Sequence, residues 1–434
     1  MSVSSVTLSI ENTAVKNKAL QPWLVCLSAA MFFFYEFIQM GMFNSLSPEL
    51  MRDFKVSATQ LGNLSATYFY ADVVFLFFAG MLLDRFSPRK IILSALLLCI
   101  GSTIMFGLSP NITVLGISHF LAGIGNAFCF LSCIKLASNW FPPRRMALVI
   151  GLTVTMAMAG GVVAQTPLTY LAQALGWRHA VLVDATLGMA IFVLIWFFVH
   201  DKAEDAAAVK SNPKTGNVMQ TVRFAVSNPQ NWLGGLYTSL VNLPIFLLGD
   251  LWGIMYLTQV HHLSRTSASY ITSMVFIGTI IGSPLVGWIS DTIGRRRAPM
   301  IVGALISLVV MLMIIYLPNL SFNTLLVLFF ALGFFTSSQI ASYPLIAESN
   351  PKNITGTATG LASILIMGGG AVFQPLFGWL MDLHWNGTVV NGVHMYSTAD
   401  YLSGMSIMPI AFVIGLIASL LIKETHCLPY QGKE

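Results

Sequence analysis

The chain alternates long apolar runs with short polar breaks. Runs of about 20 residues have the length of a helix that crosses a hydrocarbon layer. They fall near 20–46, 58–83, 90–108, 112–138, 146–171 and 179–199. A polar stretch at 200–228 carries His200, Asp201, Glu204, Asp205, Ser211, Pro213 and Gly216, and reads as a linker with room for a short helix. Further runs follow near 230–258, 267–290, 298–317, 323–347, 355–382 and 401–422. The expected fold is an all-α membrane protein with twelve transmembrane helices and both chain ends on one side. Residues 1–19 are polar, and the first run is too long for a cleaved signal peptide.

Two polar breaks resemble each other. Gly287, Asp291, Gly294, Arg295, Arg296 and Arg297 stand between the eighth and ninth runs. About 207 residues earlier, Gly80, Asp84, Arg85, Arg89 and Lys90 stand between the second and third. Glycine lets helices approach, a carboxylate can meet the positive end of a neighbouring helix, and the bases stay on one face. Asp84, Arg85, Asp291 and Arg295 are therefore the expected gate. Gly151 and Gly360, and likewise Gln165 and Gln374, repeat about 209 residues apart, each glutamine just ahead of a proline, Pro167 or Pro375. The chain reads as a duplication.

The paired hinges resemble the inter-helix signature of the major facilitator superfamily, with Thr292, Ser87 and Pro88 departing from its pattern. The resemblance implies two pseudo-symmetric six-helix bundles, 1–199 and 229–434, joined by a cytoplasmic linker at 200–228, with the solute site between them near the midplane. It also implies function as a monomer.

Composition agrees with a bilayer setting: 56% of the 434 residues are hydrophobic and 9% charged, with a mean hydropathy of +0.76. A soluble domain carries about 25% charged residues. The net charge of +5 has to be counted by side. About 17 Lys and Arg fall on the N-terminal side against about 4 opposite, with Lys135 inside a span, which places both termini in the cytoplasm. Bases spread over many short loops do not make a nucleic-acid surface. The five cysteines show no extracellular framework, and Cys129 and Cys133 lack histidines at zinc spacing, so neither metal nor cofactor is expected.

Charged groups inside spans are costly and are functional candidates by default. Glu36 and Gln39 share one face of the first span at spacing three. Glu36 is the leading candidate for substrate binding or proton coupling, because burial in an apolar span favours a carboxyl that carries its proton. Asp72, one turn from Tyr68, is next. His119 precedes Gly123 and Gly125 where the superfamily pattern has arginine, and histidine can change charge near neutral pH. Asp250 falls in the outer part of the seventh span, at the site or at a solvated mouth. Asn126, Gln165, Asn242, Gln339, Tyr343 and Gln374 complete a polar, uncharged lining. No arginine stands mid-span, which argues against organic phosphates.

Residues 32–39 and 139–151 resemble the Pht-type amino-acid permeases of bacteria that live inside phagosomes. That implies proton-coupled uptake of a small polar metabolite, an amino acid first, across a bacterial inner membrane. A nucleoside or a carboxylate siderophore is the alternative. Export is less favoured, since the glycine-proline expected after Gly151 and Gly160 is absent. A Walker-type loop is absent, which excludes ATP as the drive. An enzyme would need an acid beside His261 and His262, and a sensor would bind solute without moving it.

Overall fold

A computed structural model describes residues 3–142, 145–201, 218–351 and 354–430, with the side chains of 3–19, 81, 84, 147 and 218–220 outside the description. Among the described residues, twelve helices are long and apolar enough to cross a membrane: Leu20–Phe54, Ala58–Gly80, Pro88–Gly107, Ile112–Trp140, Leu148–Leu175, Trp177–Phe198, Pro229–Gln259, Arg265–Ile293, Arg297–Tyr316, Phe322–Glu348, Thr355–Asp382 and Thr398–Leu421. They are spans 1 to 12 below. Helices satisfy most of their own main chain, as a hydrocarbon layer demands. Span 1 runs longer than the hydropathy pattern suggests, because its last two turns, with Glu49 and Arg52, carry polar groups at the membrane surface.

The polar breaks do specific work at the helix ends. Ser57, Ser87, Asn111, Ser264, Ser321 and Ser397 cap the first turns of spans 2, 3, 4, 8, 10 and 12 with side-chain oxygens. Gly294, at φ 62°, closes span 8 in the left-handed conformation that a side chain would strain. In the linker, Val218–Ser227 is a short helix, and 202–217 lies outside the described residues. A two-residue hairpin pairs Val389 with His394 between spans 11 and 12.

Span 7 is irregular. It is α-helical over Pro229–Val241, a π-helix over Ile245–Trp252, and α-helical again over Gly253–Gln259. Pro244 supplies no N–H and ends the first segment. The π-helix frees main-chain groups that need partners elsewhere.

Both ends of the spanning region lie on one face, here the terminal face; the other is the far face. Spans 1 to 6 pack as one bundle and spans 7 to 12 as another. Span 1 meets span 7, span 2 meets span 11, and span 5 meets span 8. These meetings lie in the far half. Toward the terminal face the bundles part: Tyr70, Val74, Phe77 and Phe78 of span 2 are exposed. A Cβ on Gly151 of span 5, or on Gly356, Gly360 or Gly368 of span 11, would meet nothing within 4 Å.

Candidate functional site

The seam between the bundles begins where small residues let backbones touch. A Cβ on Gly62 of span 2 would sit 2.6 Å from the Gln374 carbonyl oxygen, and one on Gly378 of span 11 would sit 2.3 Å from that of Ala58. The ring of Phe69 fills the space beside Gly370, and that of Phe276 the space beside Gly161 and Gly249.

Hydrogen bonds reinforce these contacts. The Asn44 amide nitrogen lies 2.7 Å from Gln165 Oε1 and 2.9 Å from the carbonyl oxygens of Leu248 and Gly249. Its oxygen accepts from the Ile254 N–H at 2.9 Å. Gln165 donates to the Gly249 carbonyl at 2.7 Å, and Thr272 donates to Gln165 at 3.0 Å. The freed groups of the π-helix are thus satisfied by side chains of the opposite bundle. Gln374 donates to the Phe246 carbonyl at 2.9 Å, so the two glutamines of the repeat hold one π-helix from its two sides. Neither Gln165 nor Gln374 is exposed.

Charges close the far face. Arg265 of span 8 grips Glu49 of span 1 through both guanidinium arms and reaches the Ser45 carbonyl. Asp382, at the end of span 11, accepts from Ser57 Oγ at 2.7 Å, the Thr59 N–H at 2.8 Å and Thr59 Oγ1 at 2.6 Å. A carboxylate of one bundle therefore covers the positive end of a helix in the other. Tyr396 donates to the same carboxylate at 2.7 Å and accepts from the Ala58 N–H at 2.9 Å. Burial holds the nearby His394 imidazole below its ordinary range, only partly offset by the Asp382 charge.

The leading sequence candidates lie inside the first bundle. Glu36 is fully buried; its Oε2 accepts from Tyr68 at 3.1 Å, and its Oε1 lies beside Gly125 of span 4. Gln39 donates to Asp184 of span 6 at 2.5 Å and accepts from Thr103 of span 3 at 2.9 Å. The shared face of Glu36 and Gln39 thus points at spans 2, 3, 4 and 6. Asp72 pairs with Asn126. His119 sits among the rings of Phe43, Tyr68 and Phe106, at 4.5, 5.2 and 6.1 Å between centroids. In the second bundle Gln339 donates to Asn242 at 2.6 Å, with Tyr343 one turn along span 10 and beside Ser363 of span 11. Asp250 is not at a solvated mouth: it is 0% exposed, and neither carboxylate oxygen has a hydrogen-bond partner.

At the hinges, the Asp84 side chain lies outside the described residues, and Arg85 is exposed. Asp291 accepts from Arg296 at 2.6 Å while staying 68% exposed, and Arg295 is exposed. Arg296 is the central base: it also reaches Glu348 at the end of span 10 at 2.8 Å. Two acids missed by the sequence reading cap the helices after the hinges. Asp201 accepts from Ser87 and from the Arg89 N–H at the start of span 3. Glu424 accepts from the N–H groups of Arg296 and Arg297 at the start of span 9, at 2.8 and 3.0 Å. Part-burial opposes its charge, but these and two further main-chain N–H groups hold the Glu424 carboxyl below its ordinary range. Both acids follow the last span of their bundle, a signal readable only with the duplication in view.

Two helical bundles joined along a small-residue seam, closed on one face and parted on the other, define a membrane carrier. The sequence matches the profile of the Major Facilitator Superfamily over residues 27–256 and 246–426. The chain belongs to that superfamily, a secondary transporter of small solutes and not an enzyme. It is 26% identical over 369 residues to the membrane sensor protein UhpC of Salmonella typhimurium, an alignment covering 80% of this chain and 82% of that protein. It is 25% identical to the hexuronate transporter of Bacillus subtilis, over 58% of this chain and 60% of the relative. Among solved structures, a D-xylose-proton symporter superposes with a TM-score of 0.75 at 14% identity, over 94% of this chain and all of that one (100%).

Proposed function

We propose that the chain is a proton-coupled importer of a small polar solute without a phosphate group, working as a monomer by alternating access in a bacterial inner membrane. The carrying observation is the seam, in which glycine-backbone contacts and side-chain caps close the far half while the terminal half stands apart. Bases concentrated at the terminal face support a cytoplasmic location for it.

The polar groups near the midplane favour an uncharged or zwitterionic solute. Asn126, Asn242, Gln339 and Tyr343 offer amides and a phenol. A dianion calls for guanidinium forks, and no arginine stands in the middle of a span. An amino acid is the first choice, on the Pht-like segments at 32–39 and 139–151; a nucleoside is second and a carboxylate siderophore third. Counterflow in liposomes with labelled L-serine, uridine and glucuronate tests this. Exchange of serine or uridine without glucuronate is expected, and exchange of glucuronate alone would overturn the solute class.

A second reading, a solute sensor, is favoured by the resemblance to a relative named as a membrane sensor. Under it, one of the same probes would raise the melting temperature without any counterflow.

A further inference from the structure

Glu36, Asp72, Asp184 and Asp250 are buried acids within spans, each with a carboxylate oxygen lacking a hydrogen-bond partner. Three are enclosed by the first bundle: Glu36 against Tyr68 and Gly125, Asp72 against Asn126, Asp184 against Gln39. Asp250 differs in having both oxygens unpartnered and in facing the opposite bundle. A Cβ on Gly41 of span 1 would lie 3.4 Å from Asp250 Oδ1, 3.5 Å from Gln165 Nε2 and 3.1 Å from Ala164 Cβ. The glycine therefore lets span 1 close on span 5 with the carboxyl directly alongside, where a methyl would press on Ala164 and touch the acid.

No charge from the packed elements balances this group among the described residues. On the side of the carboxyl, span 1 presents Gly41 and Asn44, span 5 Ala164 and Gln165, and span 8 Thr272 and Phe276; behind the π-helix span 11 presents Gln374. The Glu49–Arg265 pair stands about 12 Å further along span 1, two turns toward the far face, and is engaged with itself. Glu36 lies lower on the same span but is turned to Tyr68. An ionised carboxylate with neither donor nor cation is among the costliest arrangements in a membrane interior. A hard metal ion would need several converging oxygens, and the neighbours here are the Gly41 backbone, the Ala164 methyl and the Gln165 amide nitrogen.

We propose that Asp250 carries the coupled proton, held on the seam behind Gly41 and Gln165. The inference rests on the carrier reading and names its coupling group. The seam is the part that opens and closes, so Asp250 meets water when the far half parts and is shut in with its proton when it closes. The ring of Phe276, one turn from Thr272 along span 8, packs on Gly161 and on Gly249 next to the acid. Glu36 keeps its first-bundle partners in either state.

The test uses the full chain in liposomes and the labelled probe, L-serine or uridine, that wild type exchanges in counterflow. That exchange establishes carriage by itself; its absence in wild type contradicts the carrier reading, not this assignment. With one proton per solute, a one-unit inward pH gradient can drive ~10-fold accumulation by wild type. Asp250→Asn is expected to accumulate none while retaining counterflow within about two-fold, because exchange moves no net proton. Uphill accumulation by Asp250→Asn, with its loss in Glu36→Gln, would overturn the proposal. If Asp250→Asn also loses counterflow, Gly41→Ala decides: its methyl presses between Ala164 and Asp250 and leaves the acid in place. Greater slowing of pH-driven uptake than of counterflow supports the assignment, and equal slowing of the two removes it.

Discussion

The far half and the terminal half of this molecule use polar groups in opposite ways. In the far half, Asn44, Gln165, Arg265 and Asp382 each bond to the other bundle. In the terminal half, Asp291, Arg296, Glu348 and Glu424 bond within the second bundle, and Asp201 bonds within the first. Under the proposed alternating access, the contrast separates a seam that holds one state from hinges that hold each bundle together while the state changes.

The largest effect should come from the seam's central amide. Asn44→Leu leaves the Ile254 N–H without its partner in a buried place and removes the side-chain bond to the Leu248 carbonyl, the lost N–H partner alone costing roughly 1–3 kcal/mol. We expect a lower melting temperature and a population shifted toward an open far face, read as faster maleimide labelling of a cysteine placed at Thr166. Labelling at the wild-type rate would mean that Asn44 supports span 7 and not the closed seam.

Next in size is a pair of glycines. A Cβ on Gly123 would lie 2.1 Å from the Tyr68 carbonyl oxygen within one bundle, whereas one on Gly62 meets the Gln374 carbonyl across the seam. Overpacking costs about 1–3 kcal/mol where it cannot be relieved. Gly123→Ala should therefore lower the melting temperature without altering Thr166Cys labelling. Gly62→Ala should speed labelling with less loss of melting temperature, since the seam can part. Identical behaviour of the two variants would erase the distinction between seam and bundle.

The smallest effect belongs to the hinge. The Glu424 carboxyl is held below its ordinary range by main-chain N–H groups, so its contribution is present above the unfolded carboxylate range and is lost as pH falls through the folded value. Glu424→Gln should lower neutral-pH melting slightly and flatten that acid limb, so that variant and wild type converge at low pH, and leave seam labelling as in wild type. A labelling change would tie the hinge to the seam.

The duplication made much of the fold legible. Gly80 and Gly287, and Gln165 and Gln374, mark the two bundles because each stands at a repeated helix register. The site was less legible, because burial and periodicity give a helix face and not its neighbour. Glu36 and Gln39 do share a face, but that face meets Tyr68, Thr103 and Asp184. Asp250 stayed open between the site and a solvated mouth because residue count along an α-helix says nothing of a π-helix beginning after Pro244. Asn44 gave no signal at all, since its partners are main-chain groups about 200 residues away in the other bundle. Asp201 and Glu424 were visible as acids, but their capping of spans 3 and 9 depends on where bundle ends return.

The central claim is that the seam must part for solute to cross. Thr166 Oγ1 and Ser273 Oγ face each other across it at 3.2 Å, so cysteines at both positions bring two sulfurs within reach of a disulfide. Counterflow by the Thr166→Cys, Ser273→Cys double variant should stop on oxidation and return on reduction, with both single variants active throughout. Undiminished counterflow in the fully cross-linked protein would contradict the account.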